Sequence, residues 1–350
     1  MKSGDNIVPI GVGVIGFGLS ARVFHLPFID AVPEFELAAI STSQKDEASG
    51  SWPNASVFAD AQQVIAHPDV DLIIITAPND AHFSLAKQAL VAGKHVLLEK
   101  PFVTNVGDGE ELVKLAQQSG CILSVFHNRR WDGDFLTVKK LLSDGTLGKI
   151  RFFETHFDRF RPNVRDTWRE RGGEGSGILF DLGSHLIDQT VVLFGMPRAV
   201  TAQVTARRDN AKTDDMFRLS FHYDDMLAVL VSSPFCAGPN LRFKVEGEAG
   251  SYVKYGLDPQ EERLRAGLRP VEAGWAEETA DAYGTIYTGH GDTKPCPTEV
   301  GGYDQFFHGL ANAVNGGGPP PVAGREALAV IQLIEVARRS ATLGQTVSVC

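Results

Sequence analysis

The chain has 350 residues, 43% hydrophobic and 22% charged, a balance that suits a soluble protein with two cores rather than one. Its net charge of −10 argues against a nucleic-acid surface, which needs clustered Lys and Arg to neutralise phosphates. Cysteines at 121, 236, 296 and 350 show no paired spacing, and the stretch from Met1 to Pro9 lacks the pattern of a signal peptide or membrane span, so a cytoplasmic protein without metal or disulfide framework is expected.

Apolar runs at Ile10–Ile15, Leu37–Ile40, Leu72–Ile75, Val96–Leu98 and Ile122–Phe126 alternate with helix-length segments. Leu72-Ile73-Ile74-Ile75 is continuously apolar, as in a strand buried on both faces of a parallel sheet. His82–Ala92 reads as a helix stopped by Gly93. Strand and helix in repetition predict a doubly wound α/β Rossmann domain over residues 1–126.

Beyond residue 127 the pattern changes. Lys149–Phe157, Val200–Arg207, Phe217–Tyr223, Met226–Ser232, Leu241–Glu246 and Ser251–Lys254 read as strands without long intervening helices, with Asp224-Asp225 as a tight turn. Residues 127–350 are therefore expected to form an α+β substrate-binding and oligomerisation domain with a large open, mainly antiparallel sheet. Apolar residues on both faces of Phe217–Tyr223 and Met226–Ser232 predict that this sheet pairs subunits, as a homodimer or homotetramer. Asn315–Pro321 is a loop before a final helix, about Gly324 to Thr342.

Gly16-Phe17-Gly18-Leu19-Ser20-Ala21 follows the first strand and opens a helix, a GxGxxA pattern in a dinucleotide-binding context. The first glycine allows the tight turn, the second admits a pyrophosphate, and Ala21 permits close helix packing. After the second strand, Ser41-Thr42-Ser43-Gln44-Lys45 lacks the carboxylate that usually binds the ribose hydroxyls of NAD. Its hydroxyls and lysine favour the 2′-phosphate of NADP over NAD. Thr76, Pro78, Asn79 and His82 follow the Leu72–Ile75 strand, where cofactors of open sheets bind; His82 reads equally as a helix-entry residue.

Glu99-Lys100-Pro101 sits directly after Val96–Leu98, placing a lysine at a strand's carboxyl end before a proline. A cis Lys100–Pro101 bond is one way to aim the ammonium at a nicotinamide. Gly172–Gly177 is a glycine-rich loop leading into a helix over about Asp181 to Phe194. On that helix Asp181 and His185, four apart, share a face, with Asp188 near it. The pair suits a metal, or an N-terminal cap plus a core histidine; without a third ligand at suitable spacing, proton transfer fits better than metal binding. Nearby Asp181 and Asp188 are expected to raise the His185 pKa, with Lys100 opposing them.

Together these residues resemble the Gfo/Idh/MocA oxidoreductase family over nearly the whole chain. The resemblance implies a catalytic set of Lys100, Asp181 and His185. His156–Pro162, Trp168-Arg169-Glu170 and Tyr252–Asp258 resemble a narrower branch that contains NADP-dependent scyllo-inositol 2-dehydrogenases and YdgJ-type oxidoreductases. That branch implies NADP as cofactor and places Asn128, Trp168 and Arg169 near the nicotinamide end, with Glu99 beside Lys100. Arg159 and Arg161 are candidates to bind substrate, Arg159 together with Lys100, Asp181 and His185; salt-bridged sheet arginines are the alternative for both. The expected function is hydride transfer between a polyol or sugar secondary alcohol and NADP. An NAD-dependent glycoside hydrolase and a non-catalytic NADP-binding regulator are the alternatives on the same fold.

Overall fold

A computed structural model of the chain describes residues 9–167 and 170–349. Six strands, β1 (Ile10–Ile15), β2 (Phe35–Ser41), β3 (Ser56–Phe58), β4 (Leu72–Ile75), β5 (His95–Leu98) and β6 (Leu123–Val125), form a wholly parallel sheet in the order β3-β2-β1-β4-β5-β6. β1 and β4 are buried at every position, which is why their sequences run apolar without alternation. The register pairs Ile15 with Ser41 and Ile75, Ile75 with Leu98, and Leu98 with Val125. Every loop after these strands therefore opens on one edge of the sheet.

The second sheet has nine strands: β7 (Ile150–His156), β8 (Ala199–Thr205), β9 (Met216–His222), β10 (Leu227–Ser232), β11 (Leu241–Gly247), β12 (Gly250–Tyr255), β13 (Gly284–Thr288), β14 (Thr293–Cys296) and β15 (Val347–Ser348). Their order is β14-β13-β12-β11-β7-β10-β9-β8-β15, antiparallel except where β7 meets β10. The helices Ser184–Phe194 and Gly324–Leu343 pack against it.

The expected strands lie within a residue or two of those observed, and β3, β13, β14 and β15 are additional. The outer face corrects one expectation. β9 alternates: Phe217, Leu219 and Phe221 are buried, whereas Arg218, Ser220 and His222 point the other way. Only β10 of the two strands carries apolar side chains to both faces.

The polypeptide also crosses back over the expected boundary at residue 126. Helix Tyr303–Val314, not expected from sequence, places Phe307 in a parallel stack 4.8 Å from Phe28 and Phe306 edge-on 5.0 Å from Phe126. Val322 O then accepts hydrogen bonds from Val125 N (3.2 Å) and Ser124 Oγ (2.8 Å), so this segment covers β6 at the sheet edge. No helix among the described residues is long and apolar enough to cross a membrane.

Candidate active site

The turn after β1 is built for a phosphate. Gly16 has φ +102°, and a Cβ there would stand 2.6 Å from Thr76 Oγ1, so only glycine fits. Thr76 fixes the turn from the next strand through hydrogen bonds from its N (2.9 Å) and Oγ1 (3.1 Å) to Ile15 O. A Cβ added at Gly18 would meet nothing within 4 Å, the room that a pyrophosphate approaching the backbone requires. Ala21 is fully buried, as close packing beneath the turn demands. These residues fit a dinucleotide.

At the end of β5, Glu99 fastens this turn to the strand end that carries Lys100. Its Oε1 accepts from Ser20 Oγ and lies 2.9 Å from His25 Nε2, while its Oε2 accepts from Lys100 N at 3.0 Å. Burial pushes the Glu99 carboxyl up, but hydrogen bonds from His25 and Ser20, with the Lys100 charge, hold it down at about 2. The Lys100–Pro101 bond is cis.

Lys100 reaches across to the second domain. Its Nζ donates to Asp181 Oδ1 at 2.9 Å and to Asp181 O at 2.7 Å, with the two side chains 14% and 22% exposed. Asp181 sits in a wide π-type turn, Leu179–Gly183, and the regular helix begins only at Ser184, so the expected helix over Asp181–Phe194 starts with a distortion. His185 occupies the first turn of that helix, 5% exposed, with Nδ1 buried and lacking a partner among the described residues.

The electrostatics of His185 run opposite to the sequence expectation. Burial pushes its pKa well below the usual 6.5, and the charges of Lys100, Arg129, His127 and Arg242 push it further down. Asp188 does not compensate, because Arg130 holds it through a fork at 2.7 and 2.9 Å. Asp181 is engaged by Lys100. The imidazole is therefore neutral across the physiological range and able to accept a proton.

The chain that carries this arrangement is similar along its whole length to known proteins. A family model described as "Oxidoreductase family, NAD-binding Rossmann fold" matches residues 10–127, and its companion, "Oxidoreductase family, C-terminal alpha/beta domain", matches residues 139–349. This chain belongs to the Gfo/Idh/MocA oxidoreductase family. The uncharacterised oxidoreductase YdgJ of Escherichia coli is 44% identical over 95% of this chain and 96% of its own length. The scyllo-inositol 2-dehydrogenase (NADP(+)) IolW of Bacillus subtilis is 39% identical over 99% and 98%. The solved structure of the oxidoreductase yvaA from Bacillus subtilis superposes with a TM-score of 0.96 at 38% identity, covering 99% of this chain and 100% of that one. The protein is thus an NAD(P)-binding dehydrogenase or reductase.

Within this Gfo/Idh/MocA member, most of the expected site residues converge. Gly16, Gly18, Leu19, Ser20, Thr76, Asn79, Glu99 and Lys100 lie in the loops and helix starts on the one sheet edge, with Phe17 buried behind the turn. Asn128 opens a short 3-10 turn beyond β6 and is buried. Asn79 Nδ2 donates to Gly175 O at 2.9 Å, tying the cofactor side to the glycine-rich loop of the second domain. Pro78 is exposed at that helix entry. Trp168 and Arg169 lie outside the described residues.

Three expectations need correction. His82 is fully buried, with Nδ1 at 2.9 Å from Pro101 O and Nε2 at 3.0 Å from Ala77 O. The ring is wedged between the carbonyl of Pro101 in the Lys100 loop and that of Ala77 before its own helix, so it does not face a cofactor. Ser41 is buried, and Thr42 Oγ1 accepts from Gln44 N at 3.0 Å. Ser43, Gln44 and Lys45 are the exposed members of that run. Finally, Arg159 makes no salt bridge among the described residues, which removes the reading of a paired sheet arginine. Residues not singled out from sequence include Arg22, 2.6 Å from Glu47 in the helix that follows β2, and the charges Arg129, Arg130 and Arg242 around His185. Arg22, one residue beyond the GxGxxA turn, was the findable one.

Proposed function

We propose that the enzyme moves a hydride between a secondary alcohol of a polyol or sugar and NADP. The observation that carries this reading is the Lys100–Asp181 pair, 2.9 Å apart, held beside a neutral His185 at the edge where the dinucleotide turn opens. NADP, when bound, supplies the acceptor for the hydride. The protein's own residues handle the proton. Lys100 donates to the substrate hydroxyl oxygen and stabilises the negative charge that grows there. Asp181 holds the ammonium in place and binds a second hydroxyl. His185 takes the hydroxyl proton as the C–O bond becomes a carbonyl, and in the reverse direction returns it. Because Lys100, Arg129 and Arg242 disfavour the imidazolium, the proton is passed on readily.

NADP is preferred over NAD on charge. Exposed Ser43 and Lys45 offer a donor and a cation, and Arg22 adds a second cation while neutralising Glu47. The IolW relative is named for NADP(+). The test is a screen of inositols, other polyols and aldoses with both cofactors, followed by nicotinamide absorbance. Cofactor reduction with NADP ahead of NAD is expected. Aryl-glycoside cleavage without net cofactor reduction would favour a hydrolase instead.

A further inference from the structure

The cleft beside Asp181 carries more positive charge than a neutral polyol needs. It opens to solvent, and four arginines line it: 159, 161, 165 and 208. Two of these are neutralised. Arg165 Nε lies 3.2 Å from Glu170 Oε1, and Arg208 binds Asp215 Oδ2 at 3.0 Å and Glu170 Oε2 at 3.2 Å. Of the other two carboxylates in the lining, Asp181 is engaged by Lys100 at 2.9 Å, and Asp214 accepts Leu179 N at 2.8 Å while burial pushes its pKa up. Arg159 and Arg161 have no carboxylate within ion-pair distance among the described residues.

Their backbone explains why they act together. Arg159 N donates to Ser233 O at 3.0 Å and Arg161 N to Pro234 O at 2.7 Å, an extended run beyond β7 bridged to the segment after β10. In extended backbone residues two apart share a side, so both guanidiniums enter the cleft while Phe160, 61% exposed, points away. The Arg159 guanidinium lies 5.2 Å from the Phe157 ring centre, an apolar floor. Burial, with repulsion from Arg161 and only partial relief from Asp181, lowers its pKa to about 10. Two adjacent, partly desolvated guanidiniums are unfavourable until an anion joins them.

We propose that the substrate is an acidic polyol or sugar, whose carboxylate or phosphate oxyanion is bound by Arg159 and Arg161 in the cleft that also contains Asp181. This inference rests on the dehydrogenase reading and narrows its substrate. Guanidinium forks suit either oxyanion, and the anchored end then leaves a secondary hydroxyl to reach Lys100.

The test is calorimetric titration of the NADPH-loaded enzyme with D-glucuronate, D-gluconate, glucose 6-phosphate, inorganic phosphate and D-glucose. Anions should bind at least ~10-fold more tightly than glucose, and the carboxylate and phosphate arms tell which oxyanion is preferred. Arg159→Gln and Arg161→Gln should each remove ~30-fold or more of the anion's affinity, the usual loss when one partner of a desolvated pair is truncated. NADPH affinity should stay within about threefold, and Arg159→Lys should recover part of the anion binding. No anion binding above that of glucose, or anion binding that survives both Gln variants, overturns the inference. If anions bind at these arginines but no alcohol, acidic or neutral, reduces NADP, the dehydrogenase reading fails instead. Oxidation of neutral polyols without anion binding has the opposite meaning.

Discussion

Replacing Lys100 with methionine tests the site most directly, because one atom acts on two partners. In the ground state Nζ makes two charge-assisted hydrogen bonds to Asp181, at 2.7 and 2.9 Å. Both side chains keep some exposure, 14% and 22%, so screening limits their contribution to about 1–2 kcal/mol and the melting temperature should fall by only a few degrees. In the transition state the ammonium faces an oxygen gaining charge, and removing one such donor raises the barrier by about 2–4 kcal/mol, or ~30- to 1000-fold in kcat. A second effect separates this mechanism from simple damage. After burial, Lys100 is the foremost cause of the depressed His185 pKa. Alcohol oxidation needs neutral His185, so kcat/KM falls as pH drops through that pKa, well below 6.5 in the native enzyme. In Lys100→Met the same acidic limb should move to higher pH. The assay is the pH profile of kcat/KM for both proteins on any accepted alcohol. A kcat within about threefold of native removes Lys100 from the chemistry, and an unmoved limb removes His185 as the titrating base.

Other outcomes follow from the same geometry. His185→Asn should lower kcat by ~10²–10⁴-fold and flatten the acidic limb, with NADPH binding retained in a fluorescence titration. Ser43→Asp, chosen because Ser41 is buried, should shift the kcat/KM ratio toward NAD, and more so when combined with Arg22→Ala, which frees Glu47; unchanged ratios would disprove the charge argument. His156, on the outer face of β7, lies 2.7 Å from Asp158 Oδ2 and 3.1 Å from Glu154 Oε1. Burial opposes its protonation, but these two partners raise its pKa from 6.5 to about 9. The folded value exceeds the unfolded one, so the stabilisation is full below pH 6.5 and is lost as pH rises through about 9. Allowing for partial exposure, it amounts to about 1–2 kcal/mol. The urea midpoint should fall over that window in the native protein and not in His156→Gln.

What could be read from the sequence was whatever local chemistry determines. The Gly16–Ala21 turn, the strand-end Lys100 and the Asp181–His185 spacing carry their own signals. The strands β3, β13, β14 and β15 are illegible because they are too short to show an apolar period, and β14 even includes Pro295; neighbours in the sheet, not propensity, hold them. The sign of the His185 shift was illegible for a different reason. It depends on which cations face Asp181 and Asp188, and those partners, Lys100 and Arg130, lie 81 and 58 residues away in sequence. His82 looked like a cofactor ligand from its place after β4, and only the burial of both ring nitrogens against carbonyls reassigned it.

The return of residues 303–323 to the first domain has a consequence for modularity. Two family models divide the chain at residues 10–127 and 139–349, which invites treatment as two separable cassettes. Yet β6 ends its sheet, and its outer side is closed by Val322 and Ala323 from the far end of the polypeptide. Phe28 and Phe126 are likewise sealed by Phe306 and Phe307. A fragment cut after residue 127 would expose a bare strand edge beside an aromatic patch, the two features that drive sheets to aggregate. Recombination within such a lineage is thereby constrained: a cofactor half can be exchanged only together with the C-terminal stretch that seals it.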